Sequence, residues 1–266
     1  MRKNLRFIWL LIKYKFSRMM VFRADFFLAF FGDSVLFLVQ LLTFETIYSH
    51  VDFIGGWTRG QMIIFVGTFS MINALNMVIY FFGIVDLHGK IRRGDLDQYL
   101  TKPVNPLLRL TFEEADPGSL PLILLSGGII AYGVKTAELR LTAPLLLLYI
   151  FLILIMTLLW YDMQVILRTF SFFFPASNAI DPISRIEGSL LNLNFKIPGV
   201  IYKGVFKVLF YFVLPYGIMA TIPAQALTRM LTFPAFLYAL GIVALFTALT
   251  LWFWRFGTKH YKSASS

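Results

Sequence analysis

The stretch APLLLLYIFLILIMTLLWYDMQVIL, residues 143–167, decides the fold class, and residues 145–160 within it carry no charge. A helix crosses the hydrocarbon core of a bilayer with about 20 mostly apolar residues. It can do so because every backbone N–H and C=O pairs inside the segment. This stretch is long enough to cross once, and Arg168 closes it with a cation. Further apolar blocks lie on both sides: 24–48, 61–85 and a shorter 120–134 before it, and 235–256 after it. The expectation is an all-α integral membrane protein, with residues 1–266 forming one membrane domain.

Composition points the same way. Of 266 residues, 58% are hydrophobic and 14% charged, and mean hydropathy is +0.74. A water-facing surface on a chain this size needs more polar residues. The chain has no cysteine, which excludes disulfides, thiol catalysis and cysteine metal sites. His50, His88 and His260 lie far apart with no partner at ligand spacing, so no metal site is expected. The 29 phenylalanines fall mostly in the spans, where lipid contact and packing account for them.

The net charge of +10 reads as loop asymmetry, not nucleic-acid binding. With both termini in the cytoplasm, the inner segments hold 16 of the 24 Lys and Arg residues. The outer loops hold four: Arg59, Lys135, Arg140 and Arg229. Residues 1–23 contain seven basic residues and no acid, interleaved with Phe7, Ile8, Leu10, Leu11, Met19 and Phe22. That pattern fits an amphipathic helix on an anionic lipid surface, not a cleavable signal.

The region 170–233 allows two readings. Hydropathy favours 205–227 as the fifth span, although Pro215 and Pro223 interrupt it. Alternatively 172–195 spans, and 198–227 forms a re-entrant hairpin, which is tolerated only where protein buries it. Both readings give six spans.

Polar groups inside the spans are few. A charge at mid-membrane costs roughly 2.5–3.5 kcal/mol on insertion scales, so it faces protein or a water-filled path. Asp33 is the deepest, and Asn73 and Asn76 lie in the second span. Asp162 and Gln164 sit near the inner end of the fourth, and Arg185 and Glu187 adjoin if 182–195 is helical. Asp33, Asn73, Asn76, Arg185 and Glu187 are candidates for a lined pathway or an interhelical lock. Ordinary helix–helix hydrogen bonding would also account for any one of them.

The longest polar stretch is 86–116. Within it, IRRGDLDQYLTKPVNP (residues 91–106) alternates charge signs, breaks at Gly94, and offers Asp95 as a cap before a piece that stops at Pro103. Leu96, Tyr99 and Leu100 fall at helical spacing, giving one apolar face. Such a helix can dock into a partner's groove; a solvated loop is the plainer reading. Glu113, Glu114 and Asp116 precede a proline and read as a helix-start cluster, not as catalysts. No phosphate-cradling G-x-x-x-x-G-K-[ST] run occurs, so ATP, if used, binds another chain.

This run resembles the first intracellular loop of ABC type-2 exporter permeases, especially a branch with the pattern I-R-x-G-x-L-D-x-Y-L-x-K-P-V-N-P. Gly55-Gly56-Trp57-Thr58-Arg59-Gly60, Gly67-Thr68-Phe69, Phe212-Val213-Leu214-Pro215 and Ile222-Pro223-Ala224-Gln225-Ala226-Leu227 are similar to it in order and spacing. The resemblance implies an interfacial N-terminal helix, six spans, and a re-entrant hairpin before the last span, favouring the second reading of 198–227. It implies an inner (plasma) membrane location and a transport subunit that is not itself an enzyme. Two ATPase subunits would carry ATP and Mg, and a second permease, identical or paralogous, would complete the pathway. It assigns Arg92, Arg93, Gly94, Asp95, Leu96, Asp97, Tyr99 and Leu100 to a coupling helix that touches the ATPase. Two other classes stay open on the residues alone. A channel or secondary transporter would carry broken helices in matching halves. A lipid-modifying membrane enzyme would gather catalytic residues at one interface.

Overall fold

A computed structural model describes residues 10, 11, 13, 15, 17, 23–173, 188–189 and 197–261, with the backbone alone for 23–30 and 33. Among the described residues the structure is helical, without strands; one isolated bridge joins Ile54 and Trp57. Helix α1 (Arg23–Tyr48) leads to α2 (Arg59–Ile79). A connector of short helices follows, and then α7 (Leu120–Thr136) and α8 (Ala143–Thr169). The chain closes with α12 (Phe233–His260).

Local chemistry sets the helix starts. Pro144 and Pro234 occupy first-turn positions of α8 and α12, where no N–H partner is lost. Thr232 caps α12 by accepting from Ala235 N (3.4 Å), and Gln61 Oε1 accepts from Thr58 N (2.9 Å) at the start of α2. Helix α2 stops at Ile79, not at residue 85. Tyr80 leaves helical geometry (φ −144°, ψ −15°), and its buried hydroxyl donates to the Thr157 carbonyl on α8 (2.9 Å).

Among the described residues, four helical stretches are long and apolar enough to cross a membrane: Arg59–Ile79, Pro117–Thr136, Ala143–Phe172 and Phe233–His260. Their outer faces are apolar. Leu124, Leu147 and Trp252 are 78%, 68% and 62% exposed, a surface suited to lipid. The bent pair Gly204–Val213 and Tyr216–Leu227 makes a fifth if it counts as one span. Its first arm is α9 (Gly204–Val208) running into a π turn (Leu209–Val213). Its second is α10 (Tyr216–Met219) with α11 (Thr221–Leu227). The arms meet at Pro215 at 78°. Pro223, which the sequence also offers as a break, sits in the first turn of α11 without bending it.

The main core joins α2, α8, α10, α11 and α12 through Phe65, Phe69, Met156, Trp160, Met219 and Phe246. Thr68 and Tyr149 share a 2.7 Å hydrogen bond across α2 and α8. The seam of α2 against α7 is a close one. A Cβ added at Gly67 would stand 2.9 Å from the Ile130 nitrogen, and one at Gly133 would stand 2.8 Å from the Ile64 nitrogen. Only hydrogen at those positions lets the backbones approach so closely.

Candidate functional site

The connector between α2 and α7 folds into α3 (Phe81–Val85), α4 (Leu87–Arg93), α5 (Asp97–Leu100) and α6 (Pro106–Glu113). Gly94 ends α4 in the left-handed region (φ 75°, ψ 4°), and its N–H donates to Ile91 O (3.2 Å). Residues 92–100, which the resemblance assigns to a coupling helix, are two pieces joined at this turn. Asp95 does not cap the second piece. Its carboxylate accepts from Arg93 Nε (2.8 Å), and Leu96 is the residue that precedes α5. Asn105 does cap α6, accepting from Leu107 N (2.9 Å) and Leu108 N (3.3 Å), with Pro106 next.

The turn also redirects the apolar face. Leu96 is fully buried, Tyr99 is 6% exposed, and only Leu100, at 37%, faces outward. Leu96 and Tyr99 join Ile91, Leu110, Phe172 and Trp254 in a second core that fastens the connector to the ends of α8 and α12. The connector's exposed tip comprises Arg92, Arg93, Gln98, Leu100, Thr101 and Lys102, while Asp97 is half-buried.

Charges brace this tip. Asp86 accepts from Lys90 Nζ (3.0 Å) and Arg93 Nη2 (2.9 Å). Partial burial works against the Asp86 carboxylate, but the hydrogen bonds from Arg93 and Lys90 outweigh it and hold its carboxyl below the ordinary 3.8. A group lowered on folding stabilises fully above its unfolded value, and that contribution fades as pH falls through its lowered one. Acidification below 3.8 should therefore lower the melting temperature of the detergent-purified wild type more steeply than that of Asp86→Asn. Parallel slopes would show that this cluster does not couple to folding. Arg109 lies over the Tyr99 ring (4.0 Å to the centroid) and donates to Glu113 (3.1 Å). Burial, with Glu113 beside it, pushes the Tyr99 phenol well above its ordinary range. Glu114 pairs with Lys15 of the N-terminal segment. Asp116 caps the turn Pro117–Ser119, accepting from Gly118 N (3.1 Å) and Ser119 Oγ (2.8 Å). Each of these acids thus has a structural partner.

The polar residues expected inside the spans are only partly described. Asn73 is half-buried, with Nδ2 at 3.7 Å from Met77 Sδ. Asn76 is 1% exposed, and its Oδ1 has no hydrogen-bond partner among the described residues. The two share a face of α2. Asp33 lies on α1, where the backbone alone is described, and Arg185 and Glu187 fall outside the described residues. Most of 1–23 and of 172–195 also lies outside them.

A second feature had only a faint signal in sequence. Asp162 on α8 is 1% exposed and accepts from Thr247 Oγ1 on α12 (2.5 Å). It lines a cavity of about 540 Å³ between α8, α12 and the connector helix α6. The acid is visible in the sequence as an oddity near a span end. Its threonine partner, 85 residues away, leaves no local signature.

An apolar helical bundle with a buttressed polar connector at one end is the architecture of a multi-pass membrane protein. The chain belongs to the ABC-2 family of transporters: the family model described as ABC-2 family transporter protein matches residues 35–265. It is thus a membrane permease of the ABC transporter class, a family that works with ABC ATPase components. Neither a curated protein nor a solved structure matches the chain.

Proposed function

We propose that this chain is the permease of an ATP-driven exporter and forms half of a translocation pathway with a second permease, identical or paralogous. Two ATPase subunits, holding ATP and Mg, press on the connector from the cytoplasm of a cell bounded by this inner membrane. The observation that carries this reading is the connector itself. It is a folded, charge-braced knob, rooted in the bundle through Leu96 and Tyr99, with Arg92, Arg93, Leu100 and Lys102 exposed at its tip. A solvated loop would not need that anchoring. Exposed cations around one exposed leucine suit a groove with an apolar floor and acidic rim. The coupling contact accordingly falls to Arg92, Arg93 and Leu100, while Gly94, Asp95, Leu96, Asp97 and Tyr99 shape and hold the knob.

Six spans with both termini cytoplasmic complete the proposal, and 198–227 is a re-entrant hairpin. The bent pair supports the hairpin. Its second arm is buried at Ile218, Met219 and Ala224, as irregular backbone at membrane depth requires. Its first arm exposes Val205 and Phe206 at 82% and 61%.

The test is affinity purification of the tagged chain in mild detergent, with mass spectrometry and an ATPase assay. The expected result is an ATP-hydrolysing subunit that co-purifies with the wild type and is lost from Arg92→Glu and Leu100→Asp. Recovery of the chain alone, or of an ATPase indifferent to both substitutions, overturns the reading.

A further inference from the structure

The cavity beside Asp162 has an unusual polar surface: nearly every hydroxyl proton around it is already committed. Tyr80 donates to Thr157 O (2.9 Å), Thr157 to Ile153 O (2.9 Å) and Thr250 to Asp162 O (3.3 Å). Thr247 donates to the Asp162 carboxylate (2.5 Å). Thr111 donates to Leu107 O (2.7 Å), so in its 2.8 Å contact with Tyr161 the tyrosine is the donor. What these side chains leave to an occupant is lone pairs, with a carboxylate behind them. Asn105, whose Oδ1 serves as the α6 cap, offers the remaining amide donor and is exposed. Among the described residues no Lys, Arg or His lines the cavity and no ion pair engages Asp162.

The rest of the lining is apolar and open. Leu154, Leu158 and Asp162 recur every four residues and share one face of α8. The wall from Leu154 to Asp162 runs about 12 Å along the helix. Leu154, Leu158 and Leu251 are 55%, 40% and 47% exposed, so the apolar part of the cavity faces the side of the bundle. Its volume falls within the usual range of about 300–1,000 Å³ for small-molecule sites.

We propose that this cavity is a lateral binding site for a membrane-dissolved amphipathic amine, with the ammonium among the hydroxyl oxygens before Asp162 and the tail along Leu158 and Leu154. A polar surface made almost wholly of acceptors favours an N–H donor, and a carboxylate without an ion-pair partner in an apolar wall favours a cation. An anionic amphiphile would meet repulsion, and a neutral alcohol would gain one hydrogen bond without the charge term. The site is formed by one chain and does not depend on the ATPase reading above.

The test uses the full chain in phosphatidylcholine nanodiscs with three photoreactive probes of equal chain length: a primary alkylamine, an alkyl alcohol and an alkyl sulfate. Mass spectrometry locates the labelled residues. The amine should label α8 and α12 around Leu154, Leu158 and Leu251 about tenfold more than the alcohol, and excess unlabelled amine should compete. Asp162→Asn keeps an acceptor for Thr247 and should bring the amine down to the alcohol's level, leaving the alcohol unchanged. Leu158→Trp fills the cavity and should reduce both, a readout that stands even if Asp162→Asn folds poorly. Equal labelling by amine and alcohol in the wild type, or amine labelling that survives Asp162→Asn, overturns the proposal.

Discussion

Leu96→Asp should abolish accumulation of folded protein, whereas Leu100→Asp, four residues away, should leave the fold intact. Leu96 is fully buried between the connector and the ends of α8 and α12. Removing it forfeits about 1.5–3 kcal/mol of apolar burial. Placing a carboxylate there adds a desolvation penalty of several kcal/mol. A domain's whole stability is about 5–15 kcal/mol, so this one substitution consumes much of it. Leu100 is 37% exposed and bears no such load. Fluorescence-detected size-exclusion of tagged variants from solubilised membranes separates the cases. Leu96→Asp should lose the monodisperse peak, and Leu100→Asp should keep it. Two intact peaks would mean that the connector is not anchored through Leu96.

The second large effect is expected at the α2–α7 seam. Gly133→Leu should prevent recovery of a monodisperse protein, and Gly133→Ala should lower its melting temperature by several degrees. A Cβ at Gly133 would lie 2.8 Å from the backbone nitrogen of Ile64, and backbone cannot swing aside as a side chain can. Overpacking of a tight core costs about 1–3 kcal/mol for small additions, and leucine adds three more carbons. Gly128 on the same helix is the internal control, because a Cβ there meets nothing within 4 Å. Gly128→Ala should be neutral or stabilising by up to about 1 kcal/mol through helix propensity. A thermal shift series in detergent checks the order Gly128→Ala, wild type, Gly133→Ala. Equal behaviour of the two alanine variants would deny the close approach.

The spans were legible where composition alone decides. Residues 143–167 and 235–256 fall within α8 and α12, because a long uncharged run has one low-energy state in lipid. The end of α2 was not legible. Tyr80 leaves the helix where its hydroxyl reaches Thr157 on α8, a contact 77 residues away. At the connector, the Gly94 break was visible, but its consequence was not. Helical spacing placed Leu96, Tyr99 and Leu100 on one apolar face able to dock into a partner. The left-handed turn instead sends the first two into a core supplied by Phe172 and Trp254. The glycines of the seam were visible as residues, but nothing in a single sequence says which small residue meets another backbone. The carboxylate of Asp162 was visible too, yet the hydroxyls that surround it come from α6, α8, α12 and the break at Tyr80.

The seam has a mechanical consequence. The connector leaves the bundle from α2 and re-enters it at α7, and these are the two helices whose backbones touch at Gly67 and Gly133. Helices interlocked that closely cannot slide past one another without separating, since each step would drive a Cβ into a peptide unit. Under load, α2 and α7 would therefore tilt together as one stiff unit and not shear past each other.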